Sequence, residues 1–125
     1  MTGLTLDAGA LIGLERGSAR VVQLLRTARD EHLDIRIPAA VVAQVWRGGP
    51  RAAPLARLLH ASDVTVVPLT GGRARAVGQL LGSRQGSDVV DASVVTCARE
   101  HGDAVVTSDP DDLRRLDPTL RLVAL

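Results

Sequence analysis

Carboxylates gather where this chain passes from one element to the next. Asp7 closes the short run Leu4-Thr-Leu6. Asp88 and Asp91 open an apolar stretch that runs to Ala98. Asp109, Asp111 and Asp112 follow directly on Ala104-Val-Val-Thr107. The spacing of Asp88 and Asp91 puts them on one face of a helix. Brought within a few ångströms of one another, such groups repel, and burial raises their pKa. A divalent cation removes that penalty, and an all-oxygen ligand set suits Mg²⁺ or Mn²⁺. A metal held in this way positions water, lowers its pKa and offsets charge on an attacked phosphate. Taken one at a time, the acids have plainer roles. Asp7 and Asp109 are good helix N-caps, and Asp111 and Asp112 suit a first helical turn, where the dipole favours acids.

The elements that must position these acids are legible from pattern. Leu4 to Asp7 reads as a short strand, and Ala8 to about Leu14 as a short helix. Ser18 caps a longer helix to about Arg29, with Val21, Val22, Leu24, Leu25 and Ala28 as its apolar face. Asp34 to Ile37 is a second strand, stopped by Pro38, and Ala39 to Trp46 the next helix. Gly48-Gly49-Pro50 ends that helix, and Arg51 to His60 forms another. Val64 to Val67 is a third strand, ended by Pro68. Thr70 caps a helix over about Gly71 to Leu81, and residues 82–86 read as a loop. A helix from Asp88 stops at Gly102. Ala104 to Thr107 is a buried strand, Asp111 to Leu116 a last helical turn or two, and Leu120 to Val123 a last strand. Strands alternating with helices predict an α/β fold with a mostly parallel sheet between helices. In such sheets, ligands bind at the carboxyl ends of the strands, where these acids stand.

The 125 residues suit a single domain, 1–125, and 46% hydrophobic content supplies a core. One Trp is the sole aromatic residue, so stacking of bases on aromatic platforms is excluded as a means of holding nucleic acid. Trp46 reads as core or as a partner contact. The single cysteine, Cys97, permits neither a disulfide within the chain nor a cysteine-rich zinc site, which fits a reducing cytoplasm. The first residues lack the basic and apolar regions of a leader peptide. No apolar run approaches the roughly 18 residues of a membrane span. A cytoplasmic protein is therefore expected.

The net charge of +1 conceals a segregation. Residues 36–84 carry seven Arg against one acid, Asp63, whereas residues 85–125 carry four Arg against seven Asp and one Glu. Every basic residue is Arg, which makes bidentate, permanently charged contacts to phosphate. A basic middle beside an acidic site suggests a polyanion and a metal, with Arg47, Arg51, Arg84 and Ser108 as candidate substrate contacts. Charge runs also mark merely solvated faces, and that alternative stands for each Arg. The absence of Lys removes P-loop and Schiff-base chemistry. It also disfavours a receiver-like phospho-acceptor domain, which needs a lysine near the acyl phosphate.

Four pieces of the chain, in order and spanning nearly all of it, carry a resemblance. They are Leu6-Asp7-Ala-Gly-Ala-Leu-Ile, Ile37-Pro-Ala-Ala-Val-Val-Ala-Gln-Val-Trp-Arg-Gly-Gly, Asp88-Val-Val-Asp91-Ala, and Val106-Thr-Ser-Asp109-Pro-Asp-Asp112-Leu. The chain resembles the PIN-domain proteins of the VapC toxin type. The resemblance implies a PIN-like three-layer α/β/α fold with a central sheet of four to five strands. It implies an Mg²⁺- or Mn²⁺-dependent endoribonuclease, a hydrolase of RNA, held in check by a cognate VapB-type antitoxin. A homodimer is expected on the same ground. Catalytic, metal-holding acids are implied at Asp7, Asp91 and Asp109. Asp88 and Asp112 match further polar positions that ligate metal through water or support the site, and Thr107 or Ser108 matches a hydrogen-bond donor to a carboxylate.

One departure stands out. The family usually places Glu in the middle helix, and this chain has Gln44 there. An amide oxygen still ligates, but more weakly, and it cannot act as a base. Three outcomes follow: weaker metal affinity with activity retained, compensation by Asp88, or a degenerate PIN domain that binds antitoxin or RNA without cleaving. Glu15 and Glu100 are poor stand-ins, since Glu100 falls on the face of its helix opposite Asp91. The antitoxin is expected to lay an amphipathic helix into an apolar groove between the early helices.

Overall fold

A computed structural model describes residues 3–125. Met1 and Thr2, which begin the segment read as lacking a leader, lie outside them. Five strands form one sheet: β1 (Gly3–Leu6), β2 (Asp34–Pro38), β3 (Val64–Val67), β4 (Ala104–Thr107) and β5 (Leu122–Ala124). All neighbours pair in parallel, in the order β3-β2-β1-β4-β5. Seven α-helices flank the sheet: α1 (Ala8–Glu15), α2 (Ala19–Asp30), α3 (Ala39–Val45), α4 (Ala53–Leu59), α5 (Gly71–Arg84), α6 (Val89–His101) and α7 (Pro110–Leu116). Helix α6 covers β1, β2 and β4 and packs against α3, α5 and α7, while α1, α2 and α4 pack among themselves and on the sheet. The α/β/α sandwich and its parallel sheet agree with expectation, and the sheet is wholly parallel with five strands.

Every residue of β1 and of β4 is buried, as expected of central strands covered on both faces. Leu6, Leu11, Ile37, Val41, Val94 and Val106 make a core of aliphatic side chains only, all nearly free of solvent. Among the described residues, no helix is long and apolar enough to cross a membrane.

Several boundaries differ from the pattern, each for a local reason. The helix expected over Arg51 to His60 begins as a 3-10 turn, Pro50–Ala52, and turns α-helical only at Ala53. Pro54 has no N–H and is tolerated only in that first turn. Helix α5 does not stop before Gly82 but continues to Arg84. Ser83 Oγ donates to the Leu80 carbonyl, and Gln85, in the left-handed region at φ 54°, ends the helix. Strand β5 starts later than expected because the Asp117 carboxylate accepts from both the Thr119 amide and hydroxyl, holding that segment in a turn. Trp46 follows α3 with an extended backbone and is 39% exposed, so it is not a core residue.

Candidate functional site

In the strand order, chain connections run outward from β1 to β2 and β3 on one side, and to β4 and β5 on the other. The crevice beyond the carboxyl ends of β1 and β4 is therefore the topological switch point of the sheet, the usual ligand position in such folds. Asp7 is the residue after β1, and Asp109 lies just past β4. The two strands are in register, Leu6 beside Val106, and the Asp7 amide donates to the Val106 carbonyl at 3.0 Å.

Asp7 is 4% exposed. It caps α1: one carboxylate oxygen accepts from the Ala8 amide at 2.6 Å. The other accepts from the Thr107 hydroxyl at 2.8 Å. The same hydroxyl accepts the Asp109 amide at 2.9 Å. The cap and the site are thus one residue. Burial pushes the Asp7 carboxyl above its ordinary value; the bonds from Thr107 and Ala8 pull the other way without winning, and Asp109 and Asp88 add to the rise.

Asp88 is not within the helix it was expected to begin. It is the N-cap of α6, and its carboxylate accepts from the Asp91 amide at 2.9 Å. Asp91 occupies the first turn, half-buried. Its carboxyl is pushed up to about 6, by desolvation first and then by Asp88, Asp7, Asp112 and Asp109. A carboxylate at a helix N-terminus should be favoured, so burial and four like charges outweigh the dipole. Asp88 and Asp109 thus act on both Asp7 and Asp91, and Asp7 and Asp112 act on Asp91 as well.

Asp109 is exposed and occupies the cap position of α7 without a side-chain cap bond. Asp112 lies in the first turn of α7 and pairs with Arg115 at 3.1 Å. Ser108, just before Asp109, is exposed and lies against α1: a Cβ added to Gly9 would overlap Ser108 Oγ. Gly9 is therefore needed for the β1–α1 and β4–α7 turns to meet. The sequence reading gave it no role, although a glycine two residues past a strand-end acid is a signal of close approach.

Gln44 is exposed in the last turn of α3, which packs against both α1 and α6, the helices that begin at Asp7 and Asp88. Glu100 is held elsewhere, by two bonds from Arg73 at 3.0 and 2.8 Å. The basic segment does not face the acids as a block. Arg36 is bound to Asp103 and Asp34. Arg47 donates to the carbonyls of Ala43 and Trp46, closing the end of α3, and Arg51 is exposed. Arg84 lines a groove with Asp88, Asp91 and Asp112, and Arg115 lines the same groove.

Among the described residues, no three Asp, Glu, His or Cys side chains converge closely enough to enclose a metal ion. The donor chemistry nevertheless fits a hard divalent cation: five carboxylates, of which Asp7 and Asp91 have no ion-pair partner among the described residues and are both pushed up in pKa. Mg²⁺ commonly takes one or two carboxylates and keeps several waters, which such an open set permits.

A family model described as "PIN domain" matches residues 4–117. No curated protein matches the chain in sequence. The fold is similar to that of FitAB bound to a DNA fragment, at 17% identity and a TM-score of 0.67, covering 97% of this chain and 94% of that one. It is similar to FitAcB from Neisseria gonorrhoeae, at 19% identity and a TM-score of 0.65, covering 95% of each. It is also similar to VapBC2 from Rickettsia felis bound to a DNA fragment from their promoter, at 15% identity and a TM-score of 0.72, covering 98% of each. With the family model matching most of its length and the sheet order, layers and strand-end acids as described, the chain belongs to the PIN domain family.

Proposed function

We propose that this protein is a metal-dependent endoribonuclease, the toxin of a VapBC-like toxin–antitoxin pair. One observation carries the proposal: Asp7, Asp88, Asp91, Asp109 and Asp112 share one electrostatic site at the switch point of the sheet, and Asp91 is pushed up to about 6 there. Uncompensated like charges at a ligand position are costly to the fold, and a cation offsets that cost. Asp7, Asp91 and Asp109 would hold Mg²⁺ or Mn²⁺, with Asp88 and Asp112 behind them. When bound, the metal lowers the pKa of water and neutralises charge developing on the attacked phosphate.

The chain's own residues do the positioning. Thr107 holds Asp7 through its hydroxyl and Asp109 through that residue's amide. Asp88 aligns Asp91 by capping the helix on which it stands. Asp91 must lose its proton to ligate, so the site engages metal more strongly above about pH 6. Cleavage of a structured RNA in Mn²⁺ tests the proposal, wild type beside Asp91→Asn. Wild-type cleavage that the variant reduces a hundredfold or more is expected; equal rates remove the site.

The antitoxin would lie on a groove of about 370 Å³ between α2 and α4, where Leu14, Val22, Leu25 and Leu58 are flanked by Arg26 and Arg57. Apolar floor and basic rim suit an amphipathic helix with acidic edges. The complexes named FitAB and VapBC2 support a two-protein assembly for relatives of this fold. A homodimer remains an expectation from the family.

A second reading has its own observation. Gln44 stands where the family has Glu, and no three ligating side chains converge among the described residues. A domain of this kind would bind antitoxin or RNA without cleaving. Calorimetric Mn²⁺ titration of wild type and Gln44→Glu separates the two. Silence in the wild type with binding and cleavage restored by the variant favours the degenerate domain; cleavage by the wild type dismisses it.

A further inference from the structure

Of the arginines expected beside the acids, Arg84 lines their groove, and the structure adds Arg115, which the sequence did not pair with them. A groove of about 310 Å³ runs from Asp91 and Asp88 between the end of α5 and the start of α7. Arg84, on α5, and Arg115, on α7, line it together with Asp112. The two differ in their partners. Arg115 Nη1 is held by Asp112 at 3.1 Å, one helical turn away. Arg84 makes no ion pair or side-chain hydrogen bond among the described residues, although two exposed acids line the same groove. Both side chains are exposed, on helices whose buried residues include Leu80 and Leu116. An arginine in a last helical turn also suits the helix dipole. That accounts for either residue alone, and not for both lining one groove with Asp88, Asp91 and Asp112.

We propose that Arg84 and Arg115 hold a phosphate of single-stranded RNA adjacent to the one at the acids, so that the strand leaves the site between α5 and α7. This rests on the ribonuclease reading above. The charge pattern favours it: Asp88 and Asp91 in this groove would repel a phosphate without a cation, whereas Arg84 and Arg115 in the same groove would attract one. The groove, of about 310 Å³, is at the lower end of small-ligand sites and suits about one nucleotide at a time. With no aromatic side chain at the groove, recognition is through the backbone rather than by base stacking. The exposed Arg115–Asp112 pair is weak enough to open or share a phosphate at little cost.

The test is RNA binding, read apart from cleavage. A labelled ten-nucleotide single-stranded RNA is titrated by fluorescence anisotropy in Mn²⁺ against Asp91→Asn, then against that variant carrying Arg84→Gln, Arg115→Gln or, as control, Arg57→Gln from the other groove. We expect Arg84→Gln and Arg115→Gln each to weaken binding about five- to tenfold and to lower the salt slope by up to about 0.7, the value for the one phosphate they share. Arg57→Gln should change affinity less than twofold, and a duplex of the same sequence should bind more weakly and respond to neither groove variant. Thermal midpoints within about a degree confirm that these exposed substitutions leave the fold intact. Absent binding, equal loss in all three variants, or a duplex that binds as well as the single strand and loses affinity with it overturns the inference. Binding that depends on both arginines, in a wild type that does not cleave, would leave the inference standing and sink the ribonuclease reading instead.

Discussion

The Thr107 hydroxyl joins Asp7 and Asp109, donating to the first at 2.8 Å and accepting the amide of the second at 2.9 Å. Thr107 is fully buried at the end of β4. The one hydroxyl sets the carboxylate at the end of β1 against the turn that carries Asp109.

Thr107→Val keeps the shape and removes the bridge. Asp7 loses a bond that lowers its pKa and rises further. The Asp109 amide loses its acceptor. An unsatisfied buried group costs about 1–3 kcal/mol, and loss of a partner that orients a ligand costs about 10–100-fold in metal affinity. We expect a lower thermal midpoint together with weaker Mn²⁺ binding by calorimetry, and recovery of most of both in Thr107→Ser. Unchanged Mn²⁺ affinity in Thr107→Val would mean that Asp7 does not ligate.

Asp91 gives a pH signature. Its folded-state pKa of about 6 lies above the unfolded value of 3.8, so the folded state binds more protons between them. Stability must then fall as pH rises through that window and level off above it. After discounting for its partial exposure, the penalty at neutral pH is about 1–2 kcal/mol. In EDTA, Asp91→Asn should therefore melt a few degrees above wild type at pH 7.5 and nearly with it at pH 4. Mn²⁺ should reverse the order at pH 7.5, because binding to the folded state alone stabilises it. A wild type that is the more stable protein in EDTA at pH 7.5 would contradict the repulsion on which the site depends.

Gly9→Ala examines the contact between the two turns. The new Cβ would meet Ser108 Oγ, Cβ and amide nitrogen, so the β4–α7 turn must move. Movement there displaces Asp109 relative to Asp7. Alanine favours the helix by about 1 kcal/mol where glycine is not required. Helix propensity and site geometry thus pull in opposite directions. We expect a loss of Mn²⁺ affinity of at least tenfold with the fold retained, read by calorimetry and circular dichroism. Full affinity would show that the Ser108 turn adjusts without carrying Asp109.

The fold was legible because its punctuation is local. Pro38 and Pro68 end strands, Ser18 and Thr70 accept from the amides of Val21 and Arg73 in the first turns of their helices, and Gly102 takes the left-handed position after α6. The acids were legible because each stands at a strand end or helix start, where the topology of a parallel sheet does the gathering. Thr107 was expected as a donor to a carboxylate, and its partner is Asp7, 100 residues away. What the chain did not disclose depends on partners remote in sequence. Gly9 matters only because Ser108 folds against it, and Arg115 joins the acids only once α7 docks beside α5. The excess of arginine misled in part. Arg36 and Arg73 spend their charge on Asp103 and Glu100, each within the fold, and only pairing could reveal that.

Arg36 therefore offers a control that separates fold from site. Its guanidinium donates to Asp103 Oδ1 at 2.6 Å, and Thr5 donates to the other oxygen at 2.9 Å. The Asp103 side chain is fully buried just before β4, at the end of the strand away from Asp109. Removing one member of a buried pair leaves an uncompensated charge and costs about 3–5 kcal/mol. At 16% exposure Arg36 still touches water, so the lower end applies. Arg36→Met should lower the thermal midpoint by several degrees and leave Mn²⁺ affinity of the folded protein unchanged, since the pair lies across the sheet from the acids. Arg36→Met with Asp103→Asn should recover part of the loss, because the buried charge is then gone. A fall in Mn²⁺ affinity that follows stability in these variants would tie the two ends of β4 together and assign this buried pair to the site.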